Sequence, residues 1–203
     1  MGPIKVENII VASHLGKEIE LIKLATELPN ARYSSSGNPS VIIEIDTNDS
    51  KKAAGVLFGN GKILVTGVTT LEKGKEVILS LRKMVKAVDA KVSMKRAIKL
   101  ENMVVRSNLE RTLDLQAIAL AIPGTEYDPM RFKGLVLRMD KPDASFILFQ
   151  SGVLIVTDIV SEAKAKKALN ALKQFMAAVP EANIEISRGP ALYPRIPLGR
   201  DSH

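Results

Sequence analysis

The chain has 203 residues, 46% hydrophobic and 25% charged, enough apolar material for a sizeable core in one domain or two small ones. It has no cysteine, which excludes disulfides, iron–sulfur clusters and thiolate zinc sites; His14 and His203 alone are too few for a His-rich metal centre or a histidine-based triad. Lysine and arginine number 29 against 22 acidic residues, and the resulting +7 favours a polyanionic partner, nucleic acid or an anionic membrane surface.

IIVAS (9–13) reads as a short β-branched strand. LGKEIELIKLATELP (15–29) follows, and its apolar spacing at Ile19, Leu21, Ile22, Leu24 and Ala25 predicts a helix. A short segment at Tyr33 leads to three strands, VIIEID (41–46), AAGVLF (53–58) and KILVTG (62–67). The last two are joined by a tight hairpin at 58–62, in which Gly59 and Gly61 supply positive φ. LEKGKEVILSLRKMVKAV (71–88) predicts a long helix. The same order then begins again at LENMVVRS (100–107) and ends in the helix SEAKAKKALNALKQFMAAV (161–179), with Ser161 as its cap and an acidic first turn. The tail SRGPALYPRIPLGRDSH (187–203), rich in Pro, Gly and Arg, reads as extended or disordered. Uncharged stretches fall well short of a membrane span and no basic–apolar leader opens the chain, so it reads as soluble and intracellular.

The repetition is specific. Residues 6–13 match 100–107 and residues 30–46 match 124–140, both at an offset of 94, aligning Asn8 with Asn102 and Tyr33 with Tyr127. GVLFGNGKILVTG (55–67) matches FILFQSGVLIVTD (146–158) at an offset of 91, aligning Phe58 with Phe149 and Thr66 with Thr157. The three extra residues of the first copy fall most simply in the 47–52 turn. Two copies of one β–α–β4–α unit predict an α+β fold with an antiparallel sheet and internal pseudo-symmetry, divided at 1–94 and 95–186. The positive excess is shared, +3 in residues 1–94 and +4 in 95–203.

Two helices per copy cover one sheet face, yet the strands are apolar on both. Ile63 and Val65 oppose Lys62, Leu64 and Thr66, while Ile9 and Val11 oppose Asn8, Ile10 and Ala12. No sequence remains for a second helical layer, so the second face must meet a partner. That face combines Asn8, Ile10, Ala12, Val56, Phe58, Leu64 and Thr66 with Asn102, Val104, Arg106, Phe132, Ile147, Phe149, Ile155 and Thr157. It is aliphatic, with a few hydrogen-bonding groups and phenylalanines at loop ends. The minor groove of A·T pairs, which offers only acceptors, suits such a face better than the major groove does. Sheets that read single strands carry stacking aromatics in mid-strand, and aromatics here are only 4%.

At these residues the chain resembles the TATA-box-binding protein family over roughly 5–180: the paired EN-[IM]-[IV]-V strands, the Tyr-bearing second strand, and the paired LF-x-x-G hairpins ending in VT. With no long N-terminal tail before the first repeat, the archaeal type is the nearer match. The resemblance implies a saddle: two pseudo-symmetric repeats, a curved antiparallel sheet, and helices on the convex face. It implies a general initiation factor that binds TATA-box DNA in the minor groove as a monomer, bends it, and helps recruit transcription factor B and, through it, RNA polymerase. Such a protein is cytoplasmic and nucleoid-associated in an archaeon, nuclear in a eukaryote. No catalytic residues, metal or cofactor are implied, and no Walker loop or dinucleotide fingerprint is present; GNGK (59–62) lacks the rest of a phosphate loop.

Residue by residue, the resemblance assigns the central minor-groove hydrogen bonds to Asn8 and Asn102, with Thr66 and Thr157 beside them. Aliphatic contact falls to Ile10, Val56, Leu64, Val104, Ile147 and Ile155. Phe58 and Phe149 match one member of each intercalating pair and Phe132 the other member in repeat two, but its counterpart in repeat one is Asn38. Lys62 and Arg138 match phosphate-contacting positions, whereas Glu44 and Val153 replace an expected Arg and Lys, and Glu44 is expected to repel a phosphate. In the loop that faces transcription factor B, Asp128 fits the acidic pattern while Met130 and Arg131 depart from it. These departures suit a divergent paralogue and keep open an alternative, a saddle-fold interaction module or regulator without productive bending. Arg106 lies on the DNA face by alternation, and His14 is assigned no chemistry.

Overall fold

The computed structural model describes residues 1–47, 52–93 and 95–178. The tail at 187–203, the end of the second repeat up to 186, and Met94 at the repeat boundary lie outside the described residues. Nine strands form one curved, unclosed antiparallel sheet. The first copy gives β1 (Lys5–His14), β2 (Ala31–Ser34), β3 (Ser40–Asp46), β4 (Lys52–Phe58) and β5 (Lys62–Val68); the second gives β6 (Lys99–Asn108), β7 (Gly134–Asp140), β8 (Asp143–Phe149) and β9 (Val153–Ile159). Their order across the sheet is β2-β3-β4-β5-β1-β6-β9-β8-β7. The helices are α1 (Leu21–Glu27), α2 (Leu71–Val88), α3 (Leu115–Ala121) and α4 (Glu162–Ala178). None of them is long and apolar enough to cross a membrane.

The β1–β6 pair joins the copies, with Asn8 opposite Val104 and Ile10 opposite Asn102. One sheet therefore continues through the centre of the molecule, with the β1–β6 register shifting between Val6 and Asn8 and between Ile10 and Val11. On either side the burial alternation is the same, position for position, in β3 and β7, β4 and β8, and β5 and β9. Ile9, Val11, Ile63, Val65, Val105, Leu154 and Val156 are buried beneath the helices, while their strand neighbours on the other face are half-buried or exposed. Period-2 patterning thus places the core on one side and leaves an apolar surface on the other. The helix layer lies on the convex side.

Both long helices are capped by a hydroxyl, the second at Ser161 as the sequence places it and the first at Thr70. Thr70 Oγ1 accepts from Lys73 N at 3.3 Å, and Ser161 Oγ accepts from Lys164 N at 3.2 Å. The first helix is shorter than its apolar spacing predicts. Leu15 N and Ile19 N donate to Gly61 O and Gly59 O at 2.8 and 2.9 Å, so this backbone is bound to the β4–β5 hairpin and the helix starts only at Leu21. Leu109 and Leu113 repeat the arrangement on Gly152 and Gln150. Ile22 consequently faces solvent, 63% exposed.

Two further expectations are corrected. The second copy has four strands where five are expected: the counterpart of β2 is a single bridge from Glu126 to Val136. Its chain turns away at once because Asp128 O accepts from both Arg131 N and Phe132 N. In the 58–62 hairpin only Gly61 has positive φ, +86°; Gly59 does not. The offset change from 94 to 91 has its cause where the sequence puts it: five residues, 47–51, join β3 to β4, but two, 141–142, join β7 to β8.

Candidate nucleic-acid interface

The face without helices is built in rows. Ile42, Val56, Leu64 and Ala12 stand opposite one another across β3, β4, β5 and β1, and Val136, Ile147, Ile155 and Arg106 form the same row in the second copy. Directly paired residues share a face, so each row is a strip of aliphatic contact. Ile10 and Val104 extend the strips at the centre, where both are half-buried. Ile42 and Val136 were missed in the sequence, although the same alternation marks them. The second row ends in an exposed Arg106 where the first ends in Ala12.

Asn8 and Asn102 anchor two matching polar clusters. Asn8 Nδ2 donates to Thr66 Oγ1 at 2.8 Å, and its Oδ1 accepts from Gly67 N at 2.8 Å. Asn102 Nδ2 donates to Thr157 Oγ1 at 3.0 Å, and its Oδ1 accepts from Asp158 N at 3.0 Å and Met103 N at 2.8 Å. Gly67 and Asp158 both have positive φ, +84° and +64°, and the β1–β5 and β6–β9 registers slip beside them. Each asparagine therefore caps a bulge in the neighbouring strand. One amide hydrogen of each remains without a partner among the described residues, as does the Thr66 hydroxyl as a donor. Each repeat thus presents hydrogen-bond donors in an otherwise aliphatic surface.

The phenylalanines differ between the ends. Phe132, in the loop before β7, is 48% exposed and meets Phe149 edge-to-face, with ring centroids 6.1 Å apart. The ring rests over Gly134, where a Cβ would stand 2.6 Å from Phe132 Cε1. In the first copy Phe58 has no such partner among the described residues; Asn38, Pro39, Phe58 and Leu64 border a hollow instead. The position of Gly134 is taken there by Ser40.

The charged positions are engaged within the chain. Lys62 Nζ lies 2.8 Å from Glu101 Oε1 and Arg138 Nη1 lies 2.6 Å from Glu126 Oε1, both on the surface. Glu44 is not the isolated repulsive charge that its place in the sequence suggests. Lys52 Nζ donates to it at 3.1 Å, and the carboxylate holds the Lys52 ammonium above its ordinary pKa. At the far loop Asp128 Oδ1 accepts from Met130 N at 3.1 Å, while Met130 projects 93% exposed beside an exposed Arg131. His14 Nδ1 accepts from Gly16 N at 2.8 Å, a turn contact.

A pseudo-two-fold, nine-stranded sheet with helices on one side and a donor-bearing aliphatic face on the other defines a class of two-repeat saddle proteins. The family model described as transcription factor TFIID, or TATA-binding protein, matches residues 3–88 and again 97–179. The TATA-box-binding protein of Methanothermobacter thermautotrophicus is 34% identical over 174 residues, 86% of this chain and 94% of that one. That of Methanosphaera stadtmanae is 36% identical over 154 residues, 76% and 82%. The solved structure titled Methanococcus jannaschii TBP superposes with a TM-score of 0.73 at 34% identity, covering 87% of this chain and 99% of its own. The chain belongs to the TATA-binding protein family.

Proposed function

We propose that this protein is a general transcription initiation factor that binds A/T-rich, TATA-box promoter DNA in the minor groove, bends it, and helps recruit transcription factor B and RNA polymerase. The observation that carries the reading is the pair of Asn–Thr clusters, Asn8–Thr66 and Asn102–Thr157, which set donors into the aliphatic face of each repeat. A·T pairs present only acceptors along the minor-groove floor, and a guanine amino group there would meet these donors unfavourably. Val56, Leu64, Ile147 and Ile155 supply flat contact on either side, each repeat, 1–94 and 95–186, covering half the site. Phe58, Phe132 and Phe149 act as wedges at its ends, in the manner for which this family is the type example. The chain works by binding, without catalysis, at the nucleoid of an archaeal cell. Asp128 and its loop face transcription factor B.

Met130 and Arg131 favour a second reading, an interaction module that meets a different partner through that loop. A gel shift with a TATA duplex, with and without transcription factor B, over a salt series separates the two. The first reading expects A/T-selective binding and a supershift; salt-dependent binding without A/T preference would leave only generic basic attraction.

A further inference from the structure

The two outer edges of the open face carry the same three charged positions with every sign reversed. In the first repeat these are Arg32, Glu44 and Lys52; at the same repeat offsets the second has Glu126, Arg138 and Asp143. All six lie on the open face. Arg32 pairs with Ile42 and Glu126 with Val136, both members of the aliphatic rows. Glu44 and Arg138 follow two residues along β3 and β7, and Lys52 and Asp143 begin β4 and β8 in phase with Val56 and Ile147. In the second repeat the carboxylate on the outermost segment, Glu126, holds the cation of the next strand, Arg138, at 2.6 Å. In the first repeat the carboxylate is on the inner strand and is held by Lys52, at 3.1 Å. Arg32 is exposed and has no acidic partner among the described residues. Asn30, Arg32, Ile42, Glu44, Asp46 and Lys52 line one depression at that edge.

A simple loss of a phosphate-binding arginine at position 44 would leave this edge acidic. The three positions instead sum to +1 in the first repeat and −1 in the second. We propose that the phosphate grip of the first repeat is transposed: Arg32, with Lys52 behind it, contacts the DNA backbone there, and Glu44 is a positioning carboxylate that orients Lys52. The proposal rests on the minor-groove reading above and names the backbone contacts that the reading lacked at this end.

The test is equilibrium binding of the full chain to a fluorescent TATA duplex between 50 and 200 mM salt, for the wild type and for Arg32→Ala, Arg32→Lys, Lys52→Ala and Arg138→Ala. A phosphate contact contributes about 0.9 to the slope of log affinity against log salt. Arg32→Ala is therefore expected to lower affinity, its deficit shrinking about threefold across that range. Arg32→Lys should restore the slope, and Arg138→Ala should behave like Arg32→Ala. Melting temperatures should stay unchanged, since all three side chains are exposed. Wild-type affinity and slope in both Arg32→Ala and Lys52→Ala, with a loss in Arg138→Ala, overturns the transposed grip and leaves the minor-groove reading standing. Absence of wild-type binding to the duplex overturns both.

Discussion

On the proposed minor-groove reading, Asn8 serves the fold and the groove with opposite ends of one amide. Its Oδ1 holds the Gly67 N–H in the bulge, and its Nδ2 donates to Thr66 with a hydrogen to spare. Asn8→Ala removes both functions, so it should cost about 1 kcal/mol of stability through the orphaned bulge N–H, or roughly 2–4 °C in melting temperature for a chain of this size. Asn8→Asp separates them. The carboxylate still accepts from Gly67 N, so the fold should melt as wild type, but the amide donor is gone and the Thr66 hydroxyl can turn its hydrogen to the carboxylate instead of an A·T acceptor. Binding to an A/T site should then fall by about 1–3 kcal/mol, the scale of a lost base contact, as measured by anisotropy on matched duplexes. Unchanged affinity in a normally folded Asn8→Asp protein would confine the side chain to bulge capping. The pairing of Asn8 with Asn102 is legible in the sequence because both follow an acid and precede an apolar run. The bulges that explain why asparagine is needed are not, because Gly67 and Asp158 share no residue type, only a backbone conformation.

At the level of elements, the helix layer is held against the sheet differently in each copy. Gly55 of β4 lies under Leu81 of α2, and a Cβ there would collide with the Leu81 methyls; the equivalent pair in the second copy is Phe146 and Leu172, both fully buried. Gly55→Ala should destabilise the protein by about 1–3 kcal/mol through overpacking, seen as an earlier denaturant midpoint, while DNA affinity at temperatures well below melting stays constant. A loss of affinity with an unchanged midpoint would mean that the open face, not the helix packing, senses this position. Strand phase was readable throughout, because apolar alternation at period 2 survives in both copies. Helix extent was not: the Leu15 and Ile19 backbones bind the hairpin, a tertiary contact that apolar spacing cannot encode. The absence of a β2 counterpart in repeat two was hidden for a similar reason. Its segment keeps the Tyr127 signature, but the Asp128 turn carries the chain away after the one Glu126–Val136 bridge, before a second residue pair can join it. The Glu44–Lys52 ion pair was not legible either, because it forms only once the β3–β4 hairpin brings the two side chains together.

For the whole molecule, these differences break the two-fold symmetry at the ends of the face while the centre keeps it. The second-repeat end carries the Phe132–Phe149 pair over Gly134; the first carries Phe58 beside a hollow, with Ser40 in the place of that glycine. Unstacking a base step costs a few kcal/mol, recovered through the contact that the bend permits. A single wedge recovers less, so the kink at the first-repeat end should be the shallower one. Phe149→Ala should therefore reduce bending sharply, whereas Asn38→Phe should increase it only in part. The Ser40 Cβ stands where the Gly134 Cβ would, and Gly134 has room for the Phe132 ring only because it lacks one. Asn38→Phe with Ser40→Gly should seat the new ring against Phe58 and bring the first-repeat kink up to that of the second. Fluorescence transfer between end-labelled duplex termini reads the overall angle, and labels placed about the centre assign it to each end. Equal kinks in the wild type, or a double variant no more bent than Asn38→Phe alone, would show that the hollow beside Phe58 does not limit the bend.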